Sequence, residues 1–323
     1  MITRILNTRL HRFLLLPLLL LLSFSSCQKE ITVKLPVAKQ KICVEGKIEP
    51  GIPPYIILTH NVPYFGPTDI QTLQNSFVHG AVIKVSDGSS TVTLNEYCSQ
   101  SLPDSLLPAV AQFTGVDTAL LKSFNYCLYT SFSMIGKKNT TYNLTIDVEG
   151  KTLTSTTKIL DPIPLDSTWF KYIRVNNTGD SLGFVYAHLT DPPVEGNCYR
   201  WLAMRKHKDQ SFVAPPGSVF DDKYINGKSF NFAYERGTTP NSTVPDDNNE
   251  ERGYFKHGDT VIVKFCTIDR PALDFFRQVD VAIYSQGNPF AAPSSVPTNI
   301  YPREDALGIW CGYGVFQDTV VFK

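Results

Sequence analysis

The sequence carries no surplus of charge: 30 lysines and arginines stand against 30 aspartates and glutamates in 323 residues. Without the first 26 residues, which hold Arg4, Arg9 and Arg12 and no acid, 27 basic residues face 30 acidic ones. Phosphate binding needs a basic surplus or stripe, so nucleic acid is not an expected partner. Long apolar runs are also missing. The richest, Phe13 to Leu22, is interrupted by Pro17 and stops well short of the roughly 20 residues of a membrane-spanning helix. The motifs GxSxG, HExxH, GxGxxG and GxxxxGK followed by Ser or Thr are all absent, which removes the cheapest support for a hydrolase, a metalloprotease or a nucleotide-binding protein. No cysteine pair has CxxC spacing and no histidine lies at a ligand interval from a cysteine, so neither a structural zinc site nor a thioredoxin-like site is expected. The expectation is a protein without enzymatic activity, cofactor or metal.

What is present is a globular composition, 42% hydrophobic and 12% aromatic, behind a distinctive start. Met1 to Arg12 is basic, the leucine-rich run follows, and it ends in Ser23-Phe24-Ser25-Ser26-Cys27. Residues 1–26 read as a signal peptide. Small residues directly before a cysteine resemble the bacterial lipobox, although Phe24 stands where an aliphatic residue is usual. That resemblance makes Cys27 the lipidation site. Each buried methylene of an acyl chain contributes ~0.8 kcal/mol, so two or three chains hold a protein to a membrane almost permanently. Gln28-Lys29-Glu30 is similar to the polar, acidic tag that sends some Bacteroidota lipoproteins to the outer face of the outer membrane. Residues 27–41, with Pro36, read as the lipidated cysteine and its tether.

Beyond the tether the pattern is that of strands. Two short ones flank Pro53-Pro54, at 42–48 and 55–59. Hairpins are read at 81–94 around Asp87-Gly88 and at 142–159 around Glu149-Gly150-Lys151. Between the hairpins a helical insertion near 103–124 is expected, with Pro108 in a first turn, Gly115 as a stop and Asp117 as a cap. Asp161-Pro162-Ile163-Pro164-Leu165 cannot donate backbone hydrogen bonds at its prolines and is read as the boundary between halves. The expected fold class is all-β with two β-sandwich-like units: an N-terminal immunoglobulin- or fibronectin-like unit at 42–160 and a β-rich domain at 161–323. Strands are expected at 169–175, 183–189, 198–205, 229–234, 260–267 and 314–322. One helix near 270–285 follows an Asp269 cap, with Leu273, Phe276, Val279 and Ile283 toward the sheet.

Six cysteines remain after Cys27, an even number suited to an oxidising compartment. Cys98 with Cys127 is the best candidate disulfide, because each follows a tyrosine in strand-like sequence and together they bracket the helical insertion. Fifteen connectivities stay open, and free buried thiols are the bland reading of Cys43 and Cys266. The histidines His60, His79, His188, His207 and His257 are scattered and read as surface or satisfied residues. Asp246 to Glu251 offers hard oxygen ligands without the glycine and spacing of a calcium loop, and reads as a solvated acidic loop. Tyr64, Tyr224, Tyr301 and Tyr313 stand in loop-like sequence, where flat faces with a polar edge suit proteins, glycans or peptides.

Near the carboxyl end, Asn288-Pro289-Phe290, Pro297-Thr298-Asn299-Ile300 and Gly308-Ile309-Trp310-Cys311-Gly312-Tyr313-Gly314 form a recognisable close. With the Val44-Glu45-Gly46-Lys47-Ile48 and Gly80 to Val85 segments, it resembles an uncharacterised family of Bacteroidota outer-membrane lipoproteins encoded beside TonB-dependent transporters. The resemblance implies a surface-anchored binding or accessory partner of such a transporter. A structural or adhesive surface protein, and a hydrolase with a dispersed site, are the alternatives.

Overall fold

The computed structural model describes residues 39–62, 69–238, 248–285 and 295–323. Its first part runs β1 (Ile42–Ile48), β2 (Tyr55–His60), α1 (Ile70–Ser76), β3 (Val82–Ser86), β4 (Thr91–Cys98), α2 (Leu107–Thr114), α3 (Thr118–Ser123), β5 (Cys127–Thr130), β6 (Thr140–Val148) and β7 (Lys151–Ile159). The remainder runs β8 (Ser167–Val175), β9 (Ser181–Thr190), β10 (Cys198–Arg205), β11 (Val219–Asp221), β12 (Ser229–Tyr234), α4 (Asn248–Glu251), β13 (Phe255–Lys256), β14 (Thr260–Ile268), α5 (Arg270–Tyr284), β15 (Ala306–Gly312) and β16 (Gly314–Val321). The class is all-β and sandwich-like, as the sequence implies, and both expected helical regions are present.

Local chemistry explains these elements. In the β6–β7 hairpin Tyr142, Leu144, Ile146 and Val148 alternate inward, and the two-residue turn places Glu149 and Gly150 at positive φ, as a tight hairpin requires. Gly115 ends α2 in the left-handed conformation, and the Asp117 carboxylate accepts from the Ala119 amide at 2.7 Å to start α3. Asp269 caps α5 by accepting from the Ala272 amide at 3.0 Å.

Eight strands in the order β15-β1-β2-β5-β4-β3-β6-β7 form the first sheet, with the β1–β15 pair parallel. Its two ends meet: the Gly312 amide of β15 donates to Thr157 Oγ1 of β7 at 2.8 Å, and Ser155 Oγ donates to the Asn299 carbonyl at 2.8 Å. The curled sheet thereby encloses one core that includes Val44, Ile56, Ile83, Tyr142, Leu153 and Trp310. A second pair of sheets, β11-β10-β14-β16 and β8, β9, β12, β13, packs face to face around Val185, Tyr199, Val263 and Phe265.

β15 ties these bodies together. It lies in the 161–323 segment, yet Trp310 fills the first core while Ile309, Cys311 and Tyr313, on its other face, pack with α5 and the β10–β14 sheet. The sequence marks this stretch only as a glycine-rich closing segment of mixed turn and strand residues; it is a strand buried on both faces, so inside–outside alternation is lost. α1, seven residues long, is also absent from the sequence pattern, and the four-residue β5 shows there only as strand-like sequence at Cys127. Along α5, Ala272 and Leu273 are buried, but Ile283 is 52% exposed, so the apolar stripe is covered only in its first turns.

Candidate functional site

Alternation in β1 sends Ile42, Val44 and Ile48 into the core and Cys43, Glu45 and Lys47 to the opposite face. That face is enclosed by other elements. Lys47 lies across from Tyr55 and Glu45 from Ile57 on β2. The Phe113 ring of α2 stands 4.7 Å from that of Tyr55, and Tyr126 packs on the same patch. The helical insertion is held to the second part of the chain where the Thr118 amide and hydroxyl donate to Gln210 Oε1 at 2.8 and 2.7 Å. Arg200 of β10, Phe276 of α5 and Tyr313 complete the surround.

Glu45 defines the character of this place. Its side chain is reached by solvent, yet surrounding protein desolvates the carboxyl strongly enough to raise its pKa, with Lys47 and Arg200 opposing. Glu45 is thus exposed on its outer side while the packed elements around the shallow recess desolvate its carboxyl. Among the described residues the Glu45 carboxylate accepts no hydrogen bond and makes no ion pair. The other charges are engaged. Arg200 lays its guanidinium 3.5 Å from the Phe276 ring centroid and donates from Nη1 to the Tyr313 hydroxyl at 2.5 Å, while its buried Nε has no partner among the described residues. Lys47 pairs with Glu49 at 2.9 Å and lies 5.4 Å from the Tyr55 ring and 5.9 Å from that of Tyr313. Glu49 also pairs with Lys264. Burial alone would raise the Glu49 carboxyl, but the two ammonium groups outweigh it and hold it at about 2.

Burial raises the phenols of Tyr55, Tyr126 and Tyr313, so they stay protonated and can donate. The recess therefore offers one free carboxylate, several fixed donors and flat aromatic faces. Such a set binds a polar ligand that has an apolar face. Covalent thiol chemistry is disfavoured nearby: desolvation raises Cys43 and Cys311, and pushes Cys198 to about 11 and Cys266 to about 12.

The family model for a domain of unknown function, DUF4249, matches residues 28–319. The chain belongs to the DUF4249 family. No curated protein matches it. The DUF4249 match begins immediately after Cys27 and includes every element around the recess, from β1 through β15.

The residues singled out in this DUF4249 sequence are dispersed. Cys27, Tyr64, Asp246, Asp247 and Asn288 to Phe290 lie outside the described residues. Cys98 and Cys127 stand directly opposite each other on β4 and β5 and are joined as a disulfide, whereas Cys43, Cys198, Cys266 and Cys311 are free. Tyr224 and Tyr301 are exposed, and Tyr313 is buried in the wall of the recess. The acidic stretch is spent on structure where it is described: Glu250 accepts from the Asn177 amide at 2.9 Å, and buried Glu251 accepts from Asn176 Nδ2 at 3.0 Å. His60 pairs with Glu149 at 3.0 Å and His188 contacts Asn231 at 2.6 Å. Glu45, Tyr55, Tyr126 and Arg200 were not legible as one site. The available signal was Glu45 with Lys47 on β1 and Arg200 on β10, charged residues within largely apolar strands, which alternation assigns to solvent.

Proposed function

We propose that this DUF4249 chain is an outer-membrane lipoprotein, anchored through acylated Cys27, that binds a polar ligand in the Glu45 recess and acts as a non-enzymatic partner of a TonB-dependent transporter. The observation that carries the binding role is the unpaired, desolvated Glu45 carboxylate among Arg200, Lys47 and the three tyrosines. Desolvating a carboxylate without a hydrogen-bond partner costs free energy, and a ligand that donates to it offsets that cost. The anchor is supported by the signal-like start and by a family match that begins at the residue after Cys27. Two or three acyl chains and a short tether leave the folded part free at the membrane surface.

The test is affinity capture from membranes of the native host in mild detergent, using the full-length chain. Wild-type protein is expected to retain a TonB-dependent transporter and to be labelled by an alkynyl palmitate analogue, with labelling lost in Cys27→Ser. Capture of no transporter, or labelling that survives C27S, overturns the respective half of the reading. Native mass spectrometry of the captured protein against Glu45→Gln reports whether a small molecule travels in the recess.

A further inference from the structure

A second cluster lies away from the recess, at the rim of the first core. Glu96 and Cys98 are two residues apart on β4 and so share a face, and their partners across the ladder are Tyr129 and Cys127 on β5. His79, just before β3, brings Nδ1 into contact with Glu96 Oε1, and the neighbouring Gly80 amide donates to Glu96 Oε2 at 3.2 Å. Cys98 Sγ lies 3.8 Å from Glu96 Oε1. One ligand atom from each of His79, Glu96, Cys98 and Cys127 falls within 4.8 Å of every other.

We propose that reduction of the Cys98–Cys127 disulfide opens a tetrahedral site for a zinc-class divalent ion, with His79, Glu96, Cys98 and Cys127 as its four ligands. A tetrahedral ion with nitrogen or oxygen at about 2.0 Å and sulfur at about 2.3 Å holds its ligand atoms roughly 3.3–3.8 Å apart; the four ligand atoms here all lie within 4.8 Å of one another, and opening the sulfur–sulfur bond lets the two sulfurs and the His79–Glu96 pair spread to that spacing. Three of the four ligands stand on paired strands, which fixes their directions before any ion arrives, and the Gly80 amide orients the carboxylate. His79 and Glu96 are open enough to solvent for an ion to enter, since their side chains keep 55% and 24% of their exposure. While the disulfide is intact, neither sulfur is a thiolate and the set is reduced to two ligands.

The chemistry balances with a dithiol as reductant. The dithiol transfers two electrons and two protons to the sulfur–sulfur bond, becomes a cyclic disulfide, and leaves two cysteine thiols. The divalent ion then displaces both thiol protons into solvent and forms two metal–sulfur bonds. Ion affinity therefore rises with pH.

The experiment titrates Co2+ into residues 28–323, which omit the signal peptide and the acylated Cys27, before and after treatment with a dithiol under argon, with far-ultraviolet circular dichroism recorded in parallel. The expected result is one ion per reduced chain, a thiolate-to-cobalt charge-transfer band with tetrahedral visible bands, and neither band in the oxidised chain. Cys98→Ser with Cys127→Ser removes the charge-transfer band. His79→Ala or Glu96→Gln weakens binding by about tenfold or more, because losing even an outer-shell partner typically has that effect. The proposal is overturned if the folded reduced chain shows no such band, or if the band persists in the double serine variant. Unchanged affinity in H79A and E96Q overturns it too, as does reduction that unfolds the chain without recovery on adding Zn2+.

Discussion

Gly46 stands directly opposite Trp310 in the parallel pair of β1 and β15, and a Cβ placed on it would lie 2.7 Å from Trp310 Cε3 and 2.6 Å from Ile56 Cδ1. The indole is fully buried, donates from Nε1 to the Tyr142 carbonyl at 3.1 Å, and is clamped by Asn299, whose side chain exchanges hydrogen bonds with the Trp310 backbone at 2.8 and 2.9 Å. It has no room to retreat. Gly46→Ala should therefore destabilise the chain by about 1–3 kcal/mol, as overpacking does. A guanidinium unfolding midpoint within error of the wild type would refute this.

Acid should weaken the fold through Glu49. Its carboxyl sits at about 2 in the folded chain against an ordinary 4.5, so the folded state holds the charged form more firmly than the unfolded state does. The resulting stability is complete above about pH 4.5 and is lost as pH falls toward 2, a contribution on the order of 3 kcal/mol. Lys264→Met removes one ammonium group and should shift that loss to higher pH. Urea midpoints measured between pH 2 and 6 on both proteins provide the check.

Glu45 should act in the opposite sense. Its pKa is raised, so the folded chain prefers the protonated form, and the ionised carboxylate opposes folding above its folded pKa. Glu45→Gln is expected to raise the thermal midpoint at pH 7, with the gap closing as pH falls below the unfolded value. The same variant should lose whatever ligand the recess holds. A lower midpoint at pH 7 would show that Glu45 has a structural partner.

The disulfide spans a sequence separation of 29 residues and closes the loop that contains α2 and α3. On the chain-entropy account its removal, in Cys98→Ser with Cys127→Ser, should lower stability by about 3–4 kcal/mol. Because the Thr118–Gln210 contacts belong to this loop, protease cleavage should concentrate at 99–126 in the variant. Cleavage elsewhere, with that segment intact, would assign the stabilisation to another part of the molecule.

Local signals made most elements legible. The β6–β7 hairpin showed period-two alternation on both sides of a turn whose glycine tolerates positive φ, and α2 and α3 carried a proline, a glycine and an aspartate at their ends. The disulfide pair could be chosen because each cysteine follows a tyrosine at the edge of the insertion. β15 could not be read in the same way: Ile309, Trp310 and Cys311 are buried consecutively on alternate faces, so the pattern carries no period. The recess was hidden for a different reason. Alternation shows that Glu45 leaves the first core, but only the tertiary fold shows that Arg200, Phe276 and Tyr313 enclose the space it enters. Of that wall, Tyr313 was marked in advance as an aromatic suited to recognition and Phe276 only as part of a helix's packing stripe.

The parallel pairing of β1 with β15 also has a temporal side. The strand made first finds its outer neighbour almost at the end of synthesis, a span marked by the Lys39–Asp305 contact between residues 266 positions apart. Until that neighbour arrives, β1 presents an open edge of unpaired amides and carbonyls. Completion of the first sheet must therefore wait until β15 has been made, which makes that late strand indispensable to the early one it pairs with.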